Sequence, residues 1–164
     1  MVPVSDALFK EAMSRFASGV TVVCGRVDGE LHGMTVAAFA SVSASPRIVL
    51  VSLGTSSRLG GALTVGAAVS VSILSASSAA TALRFAGMDG HEGDRFAGVA
   101  LEDTDVGVPA IADAVVVLGT HVREVVAAGD HRVVFLNIAE VRVVAEVAAP
   151  LVWWSRGFAA VTTN

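Results

Sequence analysis

Asp28-Gly29 stands between two runs of strand-forming residues, Val20 to Arg26 and Glu30 to Ser43. A two-residue turn of this composition takes positive φ and joins antiparallel neighbours. The chain is thereby committed to a hairpin early in its length. Near the other end, Ile111 to Val126 and His131 to Val147 are long β-branched runs joined by Ala127 to Asp130. Further strands are predicted at Ile48 to Leu53, after Pro46, at Ala68 to Leu74, where Ser70 and Ser72 alternate, and at Pro150 to Val161, which carries Trp153 and Trp154. Helices are fewer. Leu8, Phe9, Ala12, Met13 and Phe16 recur with helical period behind the N-cap residues Ser5 and Asp6, predicting a helix over 6–17 ended by Gly19. Shorter helices are predicted at Leu59 to Val65 and Ser77 to Ala86. Gly54 to Arg58 reads as a loop, and Gly87 to Gly107 as a long loop that walls a site. Hairpin-linked strands with a few helices point to a mainly β fold, a small antiparallel barrel. A length of 164 residues predicts one domain over 1–164.

The composition carries more apolar surface than such a domain needs. Hydrophobic residues make up 54% and the mean hydropathy is +0.70, yet no run approaches the ~20 apolar residues of a spanning helix. The surplus therefore predicts a subunit interface and no membrane segment. A net charge of −4 with scattered Lys and Arg gives no footprint for nucleic acid. Met1 to Phe16 has charges at helical spacing and no signal-peptide core, and the lone Cys24 sits among valines, so a cytoplasmic chain with a buried thiol is expected.

Familiar catalytic signatures do not occur. There is no G-x-G-x-x-G after a strand, no Walker loop, no H-E-x-x-H and no G-x-S-x-G, and Tyr is absent altogether. His91-Glu92-Gly93-Asp94 has metal-binding residue types, but His32, His121 and His131 lie far off without ligand spacing, so no metal site is expected.

What the chain does carry is an ordered series of segments. Arg15-Phe16-Ala17-Ser18-Gly19-Val20-Thr21-Val22-Val23 precedes His32-Gly33-Met34-Thr35-Val36-Ala37-Ala38-Phe39-Ala40-Ser41-Val42-Ser43. Pro46, a strand and Ser56-Ser57-Arg58 follow, then Arg84-Phe85-Ala86, Asp94-Arg95-Phe96, Gly129-Asp130-His131 and Pro150-Leu151-Val152. In this order, over roughly residues 8–161, the series resembles the short-chain flavin reductase family, reductase components of two-component flavin-dependent monooxygenases. The resemblance implies an FMN-binding split β-barrel, a homodimer, the cofactors FMN or FAD with NADH or NADPH, and a partner monooxygenase.

It also implies a site. Met34, Thr35, Val36, Ala37 and Ala38, with Ser41, Val42 and Ser43, would run beside the isoalloxazine ring. Small residues there let backbone N–H groups approach its pyrimidine edge, where negative charge develops on reduction. Ser56, Ser57 and Arg58 would hold the flavin phosphate at the start of the following helix. Phe85 and Ala86 would lie near the flavin, and His131 would bind the nicotinamide cofactor. No side chain is expected to act as acid or nucleophile, because the two cofactors exchange the hydride and the protein orients them. Ala37 and Ser72 stand where relatives commonly have Asn, and Leu136 where they have Gly. The first two would weaken flavin contacts and the third would narrow the nicotinamide approach. Two other readings stay open on these residues: a flavin carrier without turnover, and a split-barrel protein that binds no flavin.

Overall fold

The computed structural model describes residues 3–143, 149–159 and 161. Its helices are α1 (Asp6–Ser14), α2 (Arg58–Ala62) and α3 (Ala79–Ala86), the last entered through a 3-10 turn at Ala76–Ser78. The strands begin with β1 (Ser18–Gly19), β2 (Thr21–Val27), β3 (Glu30–Val36), β4 (Phe39–Ala44), β5 (Arg47–Gly54) and β6 (Ala68–Ile73). After α3 come β7 (Leu101–Glu102), β8 (Ala110–Ile111), β9 (Val116–Ala128), β10 (His131–Val143), β11 (Val152–Trp154) and β12 (Gly157–Ala159).

The β2–β3 hairpin turns at Asp28 and Gly29 with φ of 53° and 84°, the two positive values that its sequence requires. Seven strands form one antiparallel sheet in the order β3-β2-β6-β9-β10-β5-β4. Its edge strands, β3 and β4, are neighbours in sequence, linked only by Ala37 and Ala38. A sheet whose first and last strands lie two residues apart has to curl on itself. It does so as a barrel left open along the line between β3 and β4.

Alternate residues fill the barrel. Val23, Val51, Leu53, Val69, Val71, Val134 and Leu136 are buried in its interior. A second core, with Val22, Cys24, Leu74, Phe85, Ile111 and Leu151, lies on the other face of β2 beneath α3. Burial raises the Cys24 thiol to about 12, which leaves it a protonated core residue. α1 is the exception. None of its residues is buried, and Leu8, Phe9, Met13 and, just beyond it, Phe16 are all more than half exposed.

Several elements differ from the sequence expectation. The run Glu30 to Ser43 is two strands, because Ala37 and Ala38 carry the chain from one sheet edge to the other. Pro150 to Val161 contains a hairpin, β11–β12, turned at Ser155 and Arg156 with φ of 50° and 64°. The ninth strand starts at Val116 rather than Ile111, which pairs instead with Leu101. The helices are shorter than predicted: the first ends at Ser14, the second spans Arg58–Ala62, and the third begins at Ala79. Residues 144–147 of the predicted His131–Val147 strand lie outside the described residues. No helix among the described residues is long and apolar enough to cross a membrane.

Candidate functional site

β3 carries the site, and its residues are fixed from the α3 side. The Phe85 and Phe96 rings pack edge to face at 4.9 Å, and a Cβ on Gly33 would stand 2.7 Å from Phe85 and 2.9 Å from Phe96. Only glycine fits between β3 and these rings. Thr35 Oγ1 donates to the Ala82 carbonyl at 2.6 Å. The Phe85 side chain therefore lies buried behind the strand, whereas Ala86 at the helix end is exposed.

At the start of β3, His32, Gly33 and Met34 line a cavity of about 300 Å³ with Ser57, Arg58 and Arg95. Two guanidinium groups and an imidazole meet there. Arg95 is steadied by donating through Nη1 to the Phe85 carbonyl at 3.1 Å. Glu30 reaches His32 Nε2 and Arg58 Nη1 only loosely, at 3.8 Å each. His32 Nε2 is buried without a hydrogen-bond partner among the described residues. His32 and Arg95 were not among the residues expected to bind; their positions inside the H-G-M-T and D-R-F segments were the only signal.

The loop into α2 is tightly set. Ser57 Oγ donates to the Gly54 carbonyl at 2.8 Å and accepts from Gly60 N–H at 3.0 Å. Its one proton is committed internally, which leaves Ser56 and Arg58 as the exposed donors of the tripeptide. A Cβ on Gly60 would lie 2.1 Å from the Gly54 carbonyl oxygen, so this turn excludes any larger residue.

At the end of β3 the backbone changes character. The Val36 carbonyl accepts from Thr21 Oγ1 at 2.7 Å, the Ala37 carbonyl from Phe39 N–H at 3.0 Å and the Ala38 carbonyl from Ser52 N–H at 2.9 Å. The N–H groups of Ala37 and Ala38 have no partner among the described residues. They lie where the barrel is open, beside two apolar hollows; Ala37 lines both and Ala38 the larger. One, of about 140 Å³, is lined by Ala37, Ala82, Ala86, Trp153 and Phe158. The other, of about 610 Å³, is lined by Phe16, Ala37, Ala38, Phe39, Leu50 and Trp153. The Val36 side chain is buried, so only its backbone can face this line. On β4, Ser41 pairs with Val49 and Ser43 with Ile48, which leaves Val42 as a bulged, 46% exposed residue.

His131 opens β10 opposite Gly54. Its Nδ1 lies 2.8 Å from Asp130 Oδ1, and a carboxylate only accepts, so Nδ1 carries the proton. That hydrogen bond, reinforced by the charge of His131, holds the Asp130 carboxyl below the ordinary carboxylate range. A Cβ on Gly54 would stand 3.9 Å from both His131 Nε2 and Ser56 Oγ. The loop expected to bind phosphate and the histidine expected to bind nicotinamide thus come together.

The model of the flavin reductase like domain matches residues 13–162. The chain belongs to the flavin reductase-like family. It is 39% identical, over 92% of its length and 85% of the relative's, to an NADH:riboflavin 5′-phosphate oxidoreductase from Streptomyces pristinaespiralis. It is 37% identical to the reductase component of 4-hydroxyphenylacetate 3-monooxygenase from Thermus thermophilus, over 92% of this chain and 93% of that one. The NADH:FAD oxidoreductase of Streptomyces globisporus, solved with NAD and FAD fragments, superimposes with a TM-score of 0.88 over 99% of each chain at 27% identity. Within this flavin reductase-like fold, two of the departures noted in the sequence are structural. Ser72 is fully buried and accepts from Ile111 N–H at 3.0 Å, and Leu136 fills the barrel core. Neither side chain reaches the surface.

Proposed function

We propose that the chain is a flavin reductase that takes a hydride from NADH or NADPH to FMN or FAD, acts as a homodimer in the cytoplasm, and supplies reduced flavin to a partner monooxygenase. The observation that carries this reading is the pair of amides at Ala37 and Ala38, unpartnered among the described residues, just past the end of the strand whose start lines a cationic cavity. From His32 to Val36 is four residues of extended strand, about 13 Å, with Ala37 and Ala38 just beyond its end, which suits a planar ring with a ribityl phosphate tail. Arg58, Arg95, His32 and Ser56 would hold the phosphate. Met34 would lie along the tail, and the two amides would meet the pyrimidine edge, stabilising charge that develops there. Bound flavin supplies the hydride-accepting ring. The chain supplies orientation, with His131 Nε2 free to donate to or accept from a nicotinamide carboxamide according to its protonation.

Exposed apolar surface supports the homodimer. A nine-residue helix is too short to persist alone in water, and α1 buries nothing in its own chain. A second copy laid over Leu8, Phe9, Met13 and Phe16 would cover the open hollow that ends at Ala38. The names of the relatives support NADH, a flavin and an oxygenase partner. The buried free thiol suits a reducing compartment, and the match over residues 13–162 suits one domain spanning 1–164.

The test is anaerobic. Purified protein is mixed with FMN and excess NADH, and then NADPH, while the flavin absorbance is followed. Bleaching well above the protein-free rate is expected. Flavin that binds and stays yellow would replace the reductase with a carrier, and no binding would remove the reading.

A further inference from the structure

The segment that carries Ser56, Ser57 and Arg58 is fastened at both ends to the residues that flank His131. At its front, the Asp130 carbonyl accepts from both Thr55 N–H at 2.9 Å and Thr55 Oγ1 at 3.0 Å. At its back, the Arg132 guanidinium donates through Nη1 to the carbonyls of Gly60 at 2.8 Å and Gly61 at 3.1 Å, and through Nη2 to that of Leu63 at 2.9 Å. These carbonyls belong to the last turn of α2, where no helical N–H remains to satisfy them. A planar cation with a fixed fork of donors reaches all three at once, which a lysine could not.

The barrel does not need these bonds. β5 and β10 pair continuously from His131–Gly54 to Asn137–Ile48, and α2 is anchored in the core by Leu59 and Leu63. What the bonds add is a rigid link between two loops. Thr55 ties the front of segment 55–63 to the 129–131 turn, and Arg132 ties its back to the first residues of β10.

We infer that Thr55 and Arg132 are positioning residues that couple the two cofactor sites, so that flavin bound at Ser56 and Arg58 orders the His131 turn for the nicotinamide cofactor. The inference rests on the flavin reductase reading. Coupling of this kind is reciprocal: each cofactor tightens the other by the same factor.

The experiment measures binding without turnover. The Kd of oxidised FMN is determined by titration with and without saturating NAD+, and that of NAD+ with and without FMN, NADP+ replacing NAD+ if NAD+ does not bind. In the wild-type chain the ratio is expected to be about fivefold or more in both directions. Arg132→Met is expected to bring the ratio close to one, with each cofactor's Kd measured alone changed much less. Arg132→Lys, which keeps the charge and loses the fork, is expected to fall between. Thr55→Val, which keeps the N–H bond and loses the hydroxyl, is a milder second variant should Arg132→Met fail to fold, and Thr55→Ser should restore the ratio. A ratio of one in the wild-type chain, or an undiminished ratio in these variants, would overturn the inference while leaving the reductase standing. A wild-type chain that binds no flavin would overturn the reductase reading and this inference with it.

Discussion

At the His32 end of β3 the loops that wall the cavity are held by their own chain, whereas at the Ala37 end the backbone is left open. Arg95 is tied to the Phe85 carbonyl, Ser57 to Gly54 and Gly60, and the α2 carbonyls to Arg132. Around Ala37 and Ala38 the amides are unpartnered and the walls are exposed apolar residues, Phe16 among them at 75%. The loops of the cationic end are thus pre-organised by one chain, whereas the apolar end is left unfinished by the chain alone. Polar groups have to be satisfied and aimed before they bind well, while apolar walls can wait for a partner to cover them.

The most severe way to break the closed end is Gly60→Ala. Its Cβ would meet backbone at 2.1 Å, so the loop has to move; FMN binding should be lost and the melting temperature should fall by several degrees, whereas Gly61→Ala, whose nearest contact is 3.4 Å, should be tolerated. Calorimetry and a flavin titration on the two variants check this. At the open end, Phe9→Glu with Phe16→Glu should convert dimer to monomer in sedimentation velocity. FMN affinity should drop about tenfold or more, since each buried aromatic contributes roughly 1.5–3 kcal/mol. A monomeric wild-type chain would instead remove the second copy from the comparison.

Arg58→Ala should weaken FMN binding by about tenfold, the lower end of what a charge-assisted bond contributes, because the side chain is 74% exposed. Riboflavin, which lacks the phosphate, should bind the variant as it binds the wild type; an equal loss for both would place the phosphate elsewhere. Next in size, His131→Ala should raise the KM for NADH a few-fold in steady-state assays, with FMN affinity measured alone unchanged. The smallest effect concerns pH. The Asp130 carboxyl is held low in the folded chain, so its pairing with His131 contributes above the ordinary carboxylate range and is lost as pH falls through the lowered value. A carbon-13 titration should find its midpoint below that of a free aspartate and should return it toward the ordinary value in His131→Ala.

Local chemistry made much of this legible beforehand. Asp28-Gly29 dictated its turn, the β-branched runs marked most of the strands, and the ordered segments named β3, the Ser56–Arg58 loop and His131, which the fold brings near one another. What stayed hidden was decided by contacts between distant segments. Nothing in Ala37-Ala38 marks a break, because two alanines continue a strand as readily as they leave it; the break comes from closing the sheet. Ser57 looked like a ligand donor, and its hydroxyl is instead spent on Gly54. Phe85 looked like a flavin neighbour, and its ring instead supports Gly33 from behind. Arg132 drew no notice, since its importance lies in three carbonyls some seventy residues earlier in the chain.

Amides left unpartnered between two sheet edges have a further consequence, for the life of the protein before it meets a cofactor. An edge with free donors is a template on which another extended chain can pair. Ala37 and Ala38 offer such donors beside exposed apolar walls for as long as the opening stands empty. A molecule that occupies the opening withdraws the template.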